Sequence, residues 1–111
     1  MTHLISLGEF EQVVLLAILR LRDDAYGVTI RSEIAGCTGR EATPGALYTT
    51  LDRMEEKGLI RSWLGDPTPQ RGGRAKRYFG LTKTGRAALI NAQRAYQSLL
   101  CGLDILGGAN A

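Results

Sequence analysis

Five cationic side chains, Arg61, Arg71, Arg74, Lys76 and Arg77, crowd the stretch 61–77 around the glycine pair Gly72-Gly73. Clustered like charge on a short segment costs folding energy through self-repulsion, so the pattern points to an anionic partner such as phosphate. Little else in the chain can do chemistry. One histidine, His3, stands near the start, and there is no Ser/His/Asp set, no phosphate-cradling GxxxxGK and no HExxH. Cys37 and Cys101 lie far apart, without a CxxC or Cys/His cluster, which fits free thiols in a reducing compartment rather than a metal site or a disulfide. The residues therefore speak for binding rather than catalysis, with no cofactor and no metal.

The charge is unevenly spread. Residues 1–58 hold six Lys/Arg against nine Asp/Glu, whereas residues 59–111 hold eight against two. At 111 residues, with 44% hydrophobic and 23% charged side chains, the chain has the composition of an ordinary globule able to bury a modest core. Its longest strongly apolar run, Val13 to Leu19, is far shorter than the ~20 residues that cross a bilayer. No basic n-region follows Met1. The expected location is the cytoplasm, away from any membrane.

The cationic stretch needs elements to hold it. Ser6 and Glu9 are spaced as a capping box and predict the start of a first helix. Phe10, Val13, Val14, Ala17, Ile18 and Leu21 recur on it at helical spacing. Leu15, Leu16 and Leu19 make its other face apolar too, a surplus expected to meet a second subunit. Tyr26 to Ala35 predicts a shorter helix with Ile30 and Ile34 inward, ending near Gly36, with 37–40 as a loop. A third helix has the clearest signals: Thr43 as N-cap, Pro44 in the first turn, Gly58 at a left-handed stop. Leu47, Leu51 and Met54 form its inward stripe. The opposite face presents Gly45, Thr49, Asp52, Arg53 and Glu56, with Tyr48 near the edge as a reader or a core-edge aromatic. Small, hydrogen-bonding residues in the first two turns suit close approach to the floor of a DNA major groove.

Leu59 to Leu64 and Ala75 to Leu81 then predict two strands of a hairpin, joined by about ten loop residues. Ile60 and Trp63 are its expected packing residues. A capped helix leading into a basic glycine hairpin is the layout of a winged helix-turn-helix. The expected fold is thus mainly α with a small β-hairpin: a winged-helix DNA-binding domain over residues 1–82 and a C-terminal dimerisation helix over 83–111. Thr82 caps that last helix, expected to run to about Leu106. Leu89, Ala92, Tyr96, Leu99, Leu103 and Leu106 keep a heptad spacing on it and predict a seam with a second copy.

The chain resembles the PadR family of bacterial transcriptional regulators. Four blocks carry the resemblance in order: LGEFEQVVLLAIL, AYGVTIRSEI, TPGALYTTLDRMEEKGLI and GGRAKRYFGLTKTGR. Together they run from about Leu7 to Leu106. The single C-terminal helix is similar to that of the short subfamily, where it makes the dimer. The resemblance implies that Tyr26 and Gly27 open the helix that props the reader. It likewise implies that Pro44, Gly45, Leu47 and Tyr48 start the recognition helix, that Gly72, Gly73 and Arg74 form the wing tip, and that Arg77 and Tyr78 lie on the returning strand. It further implies a repressor that leaves its operator when a small molecule or other signal acts on the dimer. Gly80 departs from the pattern, which commonly has a larger residue before the Leu-Thr pair, and the PTPQR insert before the tip is longer than in minimal members.

The DNA-binding set expected from residues and resemblance is therefore Tyr26, Thr43, Pro44, Gly45, Tyr48, Thr49, Arg53, Arg71, Gly72, Gly73, Arg74, Lys76 and Arg77. The expected partners are a double-stranded inverted-repeat operator, a second copy of the chain and a small hydrophobic or aromatic effector, with Tyr96 and Trp63 as candidates to meet it. A winged-helix protein–protein adaptor and a thiol-redox sensor using Cys101 are the competing readings. An adaptor has no need of five bases in one hairpin.

Overall fold

Glu11 decides where the first helix begins. Its carboxylate accepts the Gly8 backbone N–H at 2.8 Å, so Gly8 is the N-cap and α1 spans Glu9–Leu21. Ser6, expected as the cap, lies two residues too early, and Glu11 rather than Glu9 supplies the returning carboxylate. Glycine has no side chain to give in exchange, so only half of a capping box forms. The computed structural model describes residues 6–65 and 75–105. Arg71, Gly72, Gly73, Arg74 and Leu106 lie outside these described residues.

A 3-10 turn, Arg22–Asp24, leads from α1 into α2, Gly27–Thr38. This second helix runs past Gly36 and stops at Gly39, which takes a left-handed φ of 74°. Cys37 and Thr38, expected in a loop, thus form its last turn, where the Thr38 hydroxyl donates to the Ile34 carbonyl at 2.7 Å. The third helix, α3, Pro44–Glu56, follows its sequence signals closely. The Thr43 hydroxyl accepts the Ala46 N–H at 3.1 Å, and Gly58 turns the chain with φ 77° while Leu59 N–H returns to the Met54 carbonyl at 2.9 Å.

Strands β1, Ile60–Leu64, and β2, Arg77–Leu81, pair antiparallel, with Trp63 opposite Tyr78 and Ser62 opposite Phe79. The turn before α2 joins them: Tyr26 bridges to Tyr78, and Phe79 N–H donates to the Ala25 carbonyl at 2.9 Å. The inward side of the hairpin is anchored by Phe79 and Ile60, both buried, and Phe79 alone is worth ~1.5–3 kcal/mol of burial. Trp63 is 38% exposed, not in the core. It lies on the outer face of the hairpin, and its ring covers Gly80 so closely that a Cβ there would stand 3.3 Å from it. The unusual glycine is the seat of the tryptophan.

One core unites these elements: Val14, Leu15 and Ile18 of α1, Ile30 and Ile34 of α2, Leu47, Leu51 and Met54 of α3, together with Leu59, Ile60 and Phe79. Leu15 is therefore not surplus. On α1 the unspent apolar side chain is Leu16, 40% exposed. The last helix, α4, spans Lys83–Leu100 behind the Thr82 cap, which accepts the Gly85 N–H at 3.0 Å. It ends six residues before the expected Leu106, because Gly102 takes φ 84° just beyond it. Ala88 and Leu89 are buried in the same core, so Leu89 packs on its own domain and Leu103 falls past the helix end. Tyr96, Leu99 and Leu100 carry the apolar stripe onward and are exposed among the described residues.

Candidate nucleic-acid interface

With Leu47, Thr50, Leu51 and Met54 turned inward, α3 offers solvent the face predicted for it: Thr43, Pro44, Gly45, Thr49, Asp52 and Arg53 are all exposed. The loop before the helix is fixed as well, since Arg31 Nε donates to the Ala42 carbonyl at 2.8 Å. Tyr48, Asp52 and Glu55 recur at i, i+4 and i+7 along one flank of the helix.

Tyr48 leans on the start of α2. A Cβ on Gly27 would lie 2.0 Å from its hydroxyl oxygen, so the Tyr-Gly pair beginning α2 leaves room for an aromatic arriving from α3. Tyr48 remains 40% exposed, serving at once as support and as surface. Between Tyr26, Gly27, Val28, Tyr48, Ala75, Lys76 and Arg77 opens a cleft of about 380 Å³. Lys76 Nζ sits 4.3 Å above the Tyr26 ring and 3.3 Å from its hydroxyl, which places a cation at the mouth of this cleft.

From there an aromatic series crosses the outer face of the hairpin. Tyr26 meets Tyr78 edge-on at 5.5 Å, Tyr78 stacks with Trp63 at 6.2 Å, and the Arg61 guanidinium lies 4.8 Å over Trp63. The series was not foreseen in the sequence. The signal was present, because residues 63 and 78 stand opposite once the strands are paired in their observed register.

Arg77 lines the same cleft, but its guanidinium is held within the fold. Its three guanidinium nitrogens are engaged by Ser62, Asp52 and Glu55, so the cation expected at a phosphate is already occupied within the fold. Sequence reasoning missed that the acidic last turns of α3 face this strand. Farther from this surface, Arg20 beside Glu33 holds the Glu33 carboxyl below the usual carboxylate range. Cys37 and Cys101 are both exposed, and among the described residues no group of three or more His, Cys, Asp and Glu could hold a metal ion. Among them too, no helix is long and apolar enough to cross a membrane.

A helix-turn-helix whose second helix leads directly into a two-stranded wing defines a DNA-binding winged-helix regulator. The pattern of the family described as "Transcriptional regulator PadR-like family" matches residues 15–91, and the chain belongs to that family. It is 36% identical over 88 residues to the transcriptional regulator Rv3488 of Mycobacterium tuberculosis (strain ATCC 25618 / H37Rv), a match covering 78% of this chain and 74% of that one. The structure of a PadR family transcription regulator from hypervirulent Clostridium difficile R20291 is similar with a TM-score of 0.63 and 26% identity, covering 81% of this chain and 90% of the other. The PadR-like regulator BC4206 of Bacillus cereus strain ATCC 14579 shares the fold with a TM-score of 0.71 at 20% identity, over 87% of this chain and 89% of its own. The family and its named relatives are transcriptional regulators, not enzymes.

Proposed function

We propose that the chain is a homodimeric repressor that binds an inverted-repeat operator in double-stranded DNA and leaves it when a small hydrophobic or aromatic effector acts on the dimer. The observation that carries this reading is the exposed, capped first half of α3, with Gly45 and Thr49 outward, set beside a hairpin that brings Lys76 to its flank. Thr49, Tyr48 and Arg53 are assigned to the major groove. Lys76, together with Arg71 and Arg74 around Gly72-Gly73 as expected from sequence, is assigned to phosphate and the adjoining minor groove.

Residues 1–82 form the DNA-binding module in this reading, and 83–111 the pairing helix, whose first two turns complete the module's core through Ala88 and Leu89. Ala92, Tyr96 and Leu99 remain as the pairing seam. Two reader helices related by a two-fold axis then enter successive major grooves ~34–36 Å apart.

The test is selection of bound duplexes from random DNA, followed by titration of the selected site and a scrambled duplex at several salt concentrations. Arg74→Ala is expected to weaken binding to both duplexes alike and to flatten the salt dependence by about one unit of slope. Thr49→Ala is expected to keep the slope and to narrow the gap between the two duplexes by ~1–3 kcal/mol. Failure of the wild type to enrich any sequence refutes the reading.

A further inference from the structure

Arg77 belongs to a closed ring of contacts that spans three elements. Its Nη2 donates to Glu55 Oε1 at 2.5 Å, its Nε to the Ser62 hydroxyl at 3.2 Å, and that hydroxyl donates in turn to Glu55 Oε2 at 2.8 Å. Nη1 reaches Asp52 Oδ1 at 3.5 Å. The guanidinium also lies 4.9 Å over the ring of Phe79, which is buried and cannot shift without disturbing the core. We propose that Arg77 is a positioning residue: it fixes the angle of the hairpin against the recognition helix, with Glu55 and Asp52 as its socket, so that wing and helix meet DNA as one rigid surface.

Three features support this assignment over a phosphate contact. Every guanidinium nitrogen already has a partner, and only a planar fork can serve all three at once. Moving Arg77 onto a phosphate leaves the Glu55 carboxylate uncompensated beside a polyanion. Acidic side chains on a helix that approaches DNA are otherwise unfavourable, and the ring gives Asp52 and Glu55 a purpose. Both Arg77 and Glu55 are partly exposed, and ion pairs of that kind add little to global stability, so the ring's output is geometry.

The DNA part of the test rests on the function proposed above, and the spectroscopic part does not. Trp63, the only tryptophan of the chain, sits on β1 next to Ser62 and reports on the hairpin without DNA. In the full chain, Arg77→Ala and Glu55→Ala should shift Trp63 emission in the same direction. Each should weaken operator binding by about tenfold while changing the salt slope by less than one phosphate unit. Arg77→Lys should not rescue, because an ammonium lacks the fork. Simple electrostatics predicts the opposite sign for Glu55→Ala, because loss of a negative charge should tighten binding to any duplex. Tighter binding by Glu55→Ala, with the slope of Arg77→Ala lowered by about one, makes Arg77 a phosphate contact and overturns the proposal. Unchanged Trp63 emission in both single variants overturns it as well. If wild type binds no duplex, the functional reading fails and the emission comparison alone decides the positioning role.

Discussion

The Lys57 ammonium lies 3.1 Å from Glu11 Oε2, tying the end of α3 to the first turn of α1. The next residue, Gln12, accepts from Gln93 Nε2 of α4 at 3.2 Å. Two consecutive side chains at the start of α1, both buried, therefore touch the C-terminal cap of α3 and α4 respectively. The seats of α4 and of α3 on α1 are thus adjacent in sequence.

Glu11 also sets a pH dependence. Burial pushes its carboxyl up, but the Gly8 N–H, the hydrogen bond and charge of Lys57, and the charge of Arg53 together outweigh that and hold it below the ordinary value of 4.5. A lowered folded-state value means that the unfolded chain binds the proton more readily. The stabilisation is then complete above about pH 4.5 and is lost as pH falls through the lowered folded value. Glu11→Gln should cost about 1–2 kcal/mol at pH 7, with the gap between the two proteins narrowing as pH falls below about 4.5. Urea melts at pH 3, 5 and 7 check this, and a constant offset between them contradicts it.

Gly27→Ala tests the contact between Tyr48 and α2. The new Cβ meets the free end of the Tyr48 side chain, which can swing aside, so stability should change by less than ~1 kcal/mol. The displaced ring, however, leaves its place on the reader flank. Thermal melts should look like wild type while operator affinity falls, and a variant that melts early without loss of affinity per folded molecule contradicts the assignment of Tyr48 to the interface.

What the sequence disclosed was local. The cap at Thr43, the first-turn Pro44 and the stop at Gly58 act within a few residues of one another, and α3 lies where they put it. The Ser6/Glu9 spacing put the start of α1 two residues early, and the donation from Gly8 to Glu11 sets it instead. Charge spacing shows that Arg77 is a cation but not which way it points, and its partners Asp52 and Glu55 lie more than twenty residues away. Trp63 has the composition of a core residue, yet the pairing register puts it on the outer face over Gly80. The leucine spacing continued through 103 and 106, but one glycine beyond Cys101 ends the helix regardless of that rhythm.

Thr43→Ala removes the hydroxyl that accepts the Ala46 N–H and leaves a first-turn donor of α3 without its cap. The expected cost is ~1 kcal/mol, or roughly 4–8 °C in Tm for a domain of this size. Thr43→Ser keeps the acceptor and should restore most of it. Equal melting of the alanine and serine variants shows that the hydroxyl bond contributes nothing to the helix start.

Leu89 and Leu99 share one stripe of α4, and substitution at the two positions should have different consequences. Leu89 is buried among residues of its own chain, so Leu89→Ala leaves a cavity and should lower stability by ~2–5 kcal/mol, whatever the protein concentration. Leu99 is 75% exposed and lies outside the buried core of the described residues, so its apolar surface gains most where a second copy covers it. Leu99→Lys places a charge in that seam. It should shift the protein towards monomer in sedimentation and abolish the concentration dependence of Tm that a dimer shows, while leaving the monomer's own fold intact. If Leu99→Lys sediments and melts as wild type does, the overhanging half of α4 is not the pairing surface, and the symmetric operator proposed from it loses its basis.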